Sequence, residues 1–204
     1  MARCIRPLAI LLALVVVAAV AVGCGSGSTH SDMGHDDMGT THDAGQMGTG
    51  READVKFTQE MIPHHQQAVE MADLALDPMR EASPAVQDLA TRIKTAQAAE
   101  ISDMNAWLEE WGAEPVDGQM DDGNVDHDAM GMMFAADMTA LADAKGAAFD
   151  RLWLEGMILH HDGALMMALH IDTRGDDPRV QNLSAAIEKS QAAEIAEMKQ
   201  LLGK

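Results

Sequence analysis

The chain has 204 residues, with 33 acidic residues against 14 lysines and arginines, and its formal net charge at pH 7 is −19. This balance excludes nucleic acid as the expected partner, because phosphate binding needs a basic face, and it favours solubility and attraction for cations. Both cysteines, Cys4 and Cys24, lie near the N-terminus. The remainder of the chain therefore has no thiol for a disulfide or a thiolate metal site.

The N-terminal stretch has the pattern of an export signal. Arg3 and Arg6 precede an uncharged apolar run that ends in Ala21-Val22-Gly23-Cys24. This ending resembles a bacterial lipobox, whose cysteine becomes the acylated first residue of the mature protein. We predict that residues 1–23 are a lipoprotein signal peptide and that Cys24 carries lipid, which would anchor an extracytoplasmic protein to the cell membrane. The alternatives are an ordinary signal peptide cut nearby, or an uncleaved apolar anchor that is short for a membrane span.

Residues 24–52 are rich in Gly, Ser, Thr and Asp and have no apolar periodicity, so they predict a disordered tether. Histidine and methionine are interleaved with the aspartates, and a similar Met/His-rich linker occupies residues 113–133. Imidazole and thioether groups are donors for Cu(I) and similar soft ions, so the composition favours metal capture over a purely acidic spacer. The donors in the tether are His30, Met33, His35, Met38, His42 and Met47.

Residues 53–204 show helical periodicity arranged as two similar hairpins, preceded in the second hairpin by a short helix. Because the turns are short and every long helix has an apolar stripe, the pattern predicts an all-α antiparallel four-helix bundle with pseudo-twofold symmetry. Pro63 should kink its helix or mark its first turn. The predicted helices run from near Asp54 to about Leu76, Ser83-Pro84 to about Trp111, Ala135 to Ala144, about Ala147 to Ile171, and Pro178 to Leu202.

The first helix of each hairpin carries a repeated motif, at residues 61–72 and 157–168, in which Met, His, His, Ala, Met and Ala recur at the same steps. On a helix these residues share the arc that faces the core. Histidine is costly to bury without partners, so a repeated pair on an inward stripe indicates a site. The candidate residues are His64, His65, His160 and His161.

The second helices repeat a different segment, Gln97–Met104 and Gln191–Met198, which turns Glu100 and Glu194 toward the core. Buried carboxylates need partners, and the facing histidines are the obvious ones. These glutamates could orient an imidazole from behind or bind a metal directly. The alternative is that Glu100 lies at the edge of the stripe and reaches water, or pairs with Arg92 or Lys94.

The paired Met-Ile-x-His-His-x-x-Ala-x-x-Met-Ala motifs and the Gln-x-x-Glu-Ile-x-x-Met segments resemble the bacterial domain-of-unknown-function family 305, over residues 53 to 203. The resemblance implies a ferritin-like helical bundle, export or lipid anchoring, and, in some members, copper or silver binding linked to metal tolerance. Leu159 stands where the family motif commonly has proline, which implies two unequal sites. The ligand candidates that the resemblance implies are His64, His65, His160 and His161, with Met61, Met71, Met157 and Met167 beside them.

The favoured function is copper, or silver, capture and buffering by a protein that is not an enzyme. A ferritin-like di-metal carboxylate oxidoreductase is the first alternative, but the Glu-x-x-His motif of that class is missing. The second alternative is a structural or interaction module without metal, whose histidines are packing residues or a pH-sensitive element. Methionine at helical spacing also often fills a core. Met104 and Met198 are interpreted as filler of this kind, and His170 as structural.

Overall fold

The computed structural model describes residues 50–114, 131–171 and 174–203, and these ranges contain helices and no strand. The predicted signal peptide, Cys24, nearly all of the tether and most of the linker lie outside the described residues. No helix in the described ranges is long and apolar enough to cross a membrane. The elements are α1 (Gly50–Leu76), a 3₁₀ helix (Pro78–Arg80), α2 (Pro84–Trp111), α3 (Ala135–Asp143), α4 (Gly146–Ile171) and α5 (Pro178–Leu201).

The all-α prediction is confirmed, and most helix ends lie where capping residues place them. The Ser83 hydroxyl accepts a hydrogen bond from the backbone N–H of Val86 at the start of α2, and the Asp177 side chain accepts one from Arg179 at the start of α5. Each cap is followed by a proline whose fixed φ suits the first helical turn. Gly112 ends α2 in the left-handed conformation, at φ 65°.

Helix α1 differs from the prediction at its start and at Pro63. It begins at Gly50 rather than near Asp54, and the added turn brings Arg51 over the ring of Trp111 at 4.8 Å and within 3.6 Å of Asp177. These are contacts with distant parts of the chain that the local pattern does not reveal. Pro63 is buried in the middle of the continuous helix, so the alternative that it marks the first turn is wrong.

Helices α1 and α4 pack against each other in antiparallel orientation, and α2 and α5 pack against α1 and α4 respectively. The indole N–H of Trp153 near the start of α4 donates to the carbonyl of Met71 near the end of α1, at 2.8 Å. The core has two buried clusters, which we call cluster 1 and cluster 2. Cluster 1 includes Met71, Leu89, Ile93, Phe149, Trp153 and Met157, and cluster 2 includes Phe57, Met61, Met104, Leu108, Ile171 and Ile187.

Two aspartates join the hairpins by accepting hydrogen bonds from each other's turns. Asp54 on α1 is fully buried, and its Oδ2 accepts from the backbone N–H groups of Asp176 and Asp177, at 3.1 and 2.9 Å. Asp150 occupies the same step of α4, and its Oδ1 accepts from the N–H of Ser83 at 3.0 Å. The first helix of each hairpin therefore supplies a hydrogen-bond acceptor to the start of the other hairpin's second helix.

Candidate metal centre

The four predicted histidines are brought together where α1 and α4 cross, and the side chain of each is fully buried. The rings of His64 and His160 are in contact, with centroids 3.8 Å apart and planes tilted by 41°. The ring centroid of His65 lies 6.3 Å from that of His64, and the ring centroid of His161 lies 6.3 Å from that of His160. The rings thus form an array with an inner pair, His64 and His160, and an outer pair, His65 and His161.

Each outer histidine contacts a glutamate from the second helix of its own hairpin. His65 Nε2 lies 2.8 Å from Glu100 Oε2, and His161 Nε2 lies 2.7 Å from Glu194 Oε2. The glutamate side chains are only 21% and 15% exposed, so these contacts are shielded from water. A carboxylate therefore closes each end of the histidine array.

The alternative partners considered for Glu100 are engaged elsewhere. Arg92 on α2 bonds Glu197 at 2.7 Å and also Asp88, while Lys94 bonds Asp73. Glu100 itself turns inward to His65. The structure thus places both glutamates behind histidines, in the position from which a carboxylate fixes the orientation of an imidazole.

One ring nitrogen in each outer histidine makes no hydrogen bond within the described part of the chain. These atoms are Nδ1 of His65 and Nδ1 of His161. Buried polar atoms normally have a partner, so these nitrogens call for one, and a bound metal ion is one kind of partner that would satisfy them. The array thus has nitrogen atoms available for a ligand.

The pKa of His160 is lowered well below its usual value. The main cause is burial, which disfavours the charged imidazolium, and repulsion from the neighbouring histidines His64, His161 and His65 adds to it. A weaker interaction with the backbone of His64 acts in the opposite direction. His160 is therefore held in the neutral form, which is the form of imidazole that binds metals.

The four methionine candidates lie before and after the His-His pairs along α1 and α4. Met71 and Met157 belong to cluster 1, Met61 belongs to cluster 2, and Met167 packs against cluster 2 while half-buried. Met104 and Met198 are also fully buried, one in each cluster, as a filler role requires. His170 is exposed on α4, where its Nδ1 lies 3.2 Å from the carbonyl oxygen of Met166.

The donor types fit a soft metal better than a hard one. Within the described ranges, no group of three or more His, Cys, Asp or Glu residues has the spacing to hold a metal ion. The adjoining clusters contain methionine thioethers, so a site that joined the array to them would combine imidazole nitrogen with thioether sulfur. That nitrogen and sulfur set suits Cu(I) and Ag(I).

Sequence reasoning missed the role of Asp54, although the signal was present. Asp54 and Asp150 stand at the same step before the two His-His pairs, each on the first helix of its hairpin. Comparing the two repeats position by position would have found the matching aspartate.

Comparisons with known proteins match this architecture. The model of the family "Domain of unknown function (DUF305)" matches residues 54–202. A DUF305 fragment from Deinococcus radiodurans is 31% identical in sequence, with 74% of this chain and 95% of that chain covered and a TM-score of 0.66. A DUF305 protein from Streptomyces coelicolor is 32% identical, with 74% and 91% covered and a TM-score of 0.66.

A third similar structure is CopM in its Cu(I)-bound form, at 34% identity, with 72% of this chain and 94% of that chain covered and a TM-score of 0.60. CopM has also been solved in Cu(II)-bound and Ag-bound forms. Among curated proteins, no sequence matches this chain.

Proposed function

Since this chain belongs to the DUF305 family, we propose that it is an exported, lipid-anchored protein that captures copper or silver and buffers it for metal homeostasis or tolerance. The similar protein CopM has been solved with Cu(I), Cu(II) and Ag. The observation that carries the proposal is the buried array of four histidines, which has ring nitrogens without hydrogen bonds and methionines before and after it along α1 and α4.

The two glutamates support this function through the tautomer that they favour. A neutral outer histidine that donates its Nε2–H to a carboxylate keeps the lone pair on Nδ1. In His65 and His161 this Nδ1 is the nitrogen without a hydrogen bond. Glu100 and Glu194 thus orient the outer imidazoles and leave a nitrogen donor on each for a metal.

Export and anchoring are supported by the N-terminal sequence alone. The positively charged start, the apolar run and the small residues before Cys24 fit a lipoprotein. The Met/His-rich tether then follows the anchor directly, and the bundle follows the tether. In this arrangement the tether would collect soft ions at low affinity and the bundle would hold them more tightly.

Thermal unfolding of the full chain with Cu(I), Cu(II), Ag(I) and Zn(II) tests the proposal. An ion that binds only the folded state stabilises it by about 2.7 kcal/mol at a hundredfold excess over the dissociation constant. We expect Cu(I) and Ag(I) to raise the melting temperature, and we expect replacement of all four array histidines by glutamine to reduce that rise. His170→Gln is the matched control, because His170 is an exposed histidine outside the array.

Circular dichroism would establish that the four-histidine variant is still helical. A variant that keeps the full shift with Cu(I) and Ag(I) would exclude the array as the site. No shift with any ion in the wild-type protein would exclude tight metal binding by the bundle.

A further inference from the structure

The last residues of the Met/His-rich linker, Gly131–Met133, are held against the outer side of the α1/α4 pair. The side-chain amide of Gln67 on α1 donates from Nε2 to the carbonyl oxygen of Met133 at 2.9 Å, and its Oε1 accepts from the N–H of Met133 at 2.7 Å. A side chain that satisfies both backbone groups of one residue fixes that residue in position and orientation. We call Gly131–Met133 the strap.

Two glycines allow the strap to approach the helices. A Cβ added at Gly131, whose φ is +69°, would lie 2.1 Å from the carbonyl oxygen of Leu159 on α4. A Cβ added at Gly156 would lie 2.9 Å from Met133 Sδ and 3.5 Å from the Met71 methyl carbon. The missing side chain at Gly156 therefore makes the space that the Met133 sulfur occupies.

Two thioether side chains, those of Met133 and Met71, consequently meet beside Gly156, and a third belongs to the same cluster. Met133 comes from the strap and packs half-buried against cluster 1, to which Met71 of α1 and Met157 of α4 belong. Met157 follows Gly156 directly in the chain, and Met71 reaches the same point from the opposite helix. Cluster 2 is built differently, because Gly163 takes the place of Gln67 in the second repeat and Glu60 takes the place of Gly156 in the first.

We propose that Met133, Met71 and Met157 form a thioether site for Cu(I) or Ag(I), and that Gln67 positions Met133 in it. The inference rests on the proposed soft-metal function and adds to it a site without histidine, on the cluster 1 side only. Thioether sulfur is a soft donor that selects Cu(I). Because Met133 ends the Met/His-rich linker, the site lies where that linker meets the bundle.

The test is a titration of the full chain in detergent with Ag(I), followed by NMR of ¹³C-methyl methionine and ¹⁵N histidine. Residue-resolved signals separate this site from the methionines of the tether and from the histidine array. We expect the methyl signals of Met71, Met133 and Met157 to shift together and to saturate. In Met133→Leu, a change close to isosteric that removes the sulfur, the affinity read at Met71 and Met157 should fall at least about tenfold.

Met138→Leu is the matched control, because Met138 on α3 also packs against cluster 1 but is not held by Gln67. It should leave the affinity unchanged. Gln67→Leu should weaken Ag(I) binding while all three methyl signals still shift, since it removes the positioning bonds and no donor. The indole N–H signal of Trp153, which bonds the carbonyl of Met71, reports whether each variant keeps cluster 1 folded.

The outcomes separate this site from the wider function. If Ag(I) shifts the histidine signals but leaves Met133 unmoved, or if Met133→Leu binds at Met71 with wild-type affinity, the thioether site is overturned and the proposed function stands. If neither the array nor the cluster 1 methionines respond to Ag(I), both are overturned.

Discussion

The two hairpins are alike where they face each other and differ where the strap lies. The Glu100–His65 and Glu194–His161 contacts measure 2.8 and 2.7 Å, so the two ends of the array are closely equivalent. On the outer side, Gln67 and Pro63 of α1 correspond to Gly163 and Leu159 of α4. Pro63 is buried whereas Leu159 is 63% exposed. The histidines and glutamates of the array therefore occur in both hairpins, whereas Gln67 and Pro63 occur only in the first.

The largest effect is expected where the two cross-hairpin aspartates differ in burial. Asp54→Ala should lower the free energy of unfolding by about 3 kcal/mol, because it leaves one buried and one part-buried N–H group without an acceptor. Asp150→Ala should cost about 1 to 2 kcal/mol, because Asp150 is half-buried and accepts from a single N–H group. Urea unfolding monitored by circular dichroism measures both, with the exposed Asp143→Ala as control. Equal losses would show that burial does not distinguish the two junctions.

The two glutamates provide a test of equivalence at the centre. Glu100→Ala and Glu194→Ala should each weaken Ag(I) or Cu(I) binding by about 10- to 100-fold, since each removes the carboxylate that orients an outer imidazole. The two losses should agree within a few-fold, because the contacts match. Competition titration against a chromogenic chelator measures the affinity, and Glu109→Ala, an exposed position on α2, is the control. A loss confined to one variant would show that a single hairpin holds the metal.

The smallest effect concerns the inner pair, where the hairpins touch. In the metal-free protein, His160 has a lowered pKa when folded and a pKa of about 6.5 when unfolded, so below that pH the unfolded chain binds the extra proton. The contribution of His160 to the free energy of unfolding is therefore fully present above about pH 6.5. It is lost as the pH falls below that value, by at most about 1.4 kcal/mol per pH unit. His160 is faced by His64 and His65 from α1 and by His161 on its own helix, while Glu100 and Glu194 pair with the outer rings.

Urea unfolding between pH 7 and pH 5 measures this dependence. His160→Gln should flatten the decline, because glutamine does not titrate. His170→Gln, which changes an exposed histidine, should leave it unaltered. An identical decline in His160→Gln and wild type would contradict the assignment to His160.

The helices and the histidine array could be predicted because their signals are local or repeated. Capping residues mark the start of α2 and α5, and helical spacing places His64 and His160 on the inward stripes. The start of α1 could not be predicted, because the added turn contacts Asp177 and Trp111, which are distant in sequence. The hydrogen bonds between Gln67 and Met133 likewise join residues that are distant in sequence, and no pattern in either segment predicts them.

The reciprocal aspartate bonds have a consequence for how symmetry operates in this molecule. In a homodimer with an isologous interface, residue i of one subunit meets residue j of the other and the reverse, so every substitution appears twice. Asp54 with Asp177, and Asp150 with Ser83, reproduce that reciprocity within a single polypeptide. Because the two halves are separate stretches of one chain, glycine can replace glutamine at position 163 while Gln67 is retained. Because the two hairpins are covalently linked, the histidine array can be symmetric while the strap is held on one side only. Two identical subunits could not differ in this way.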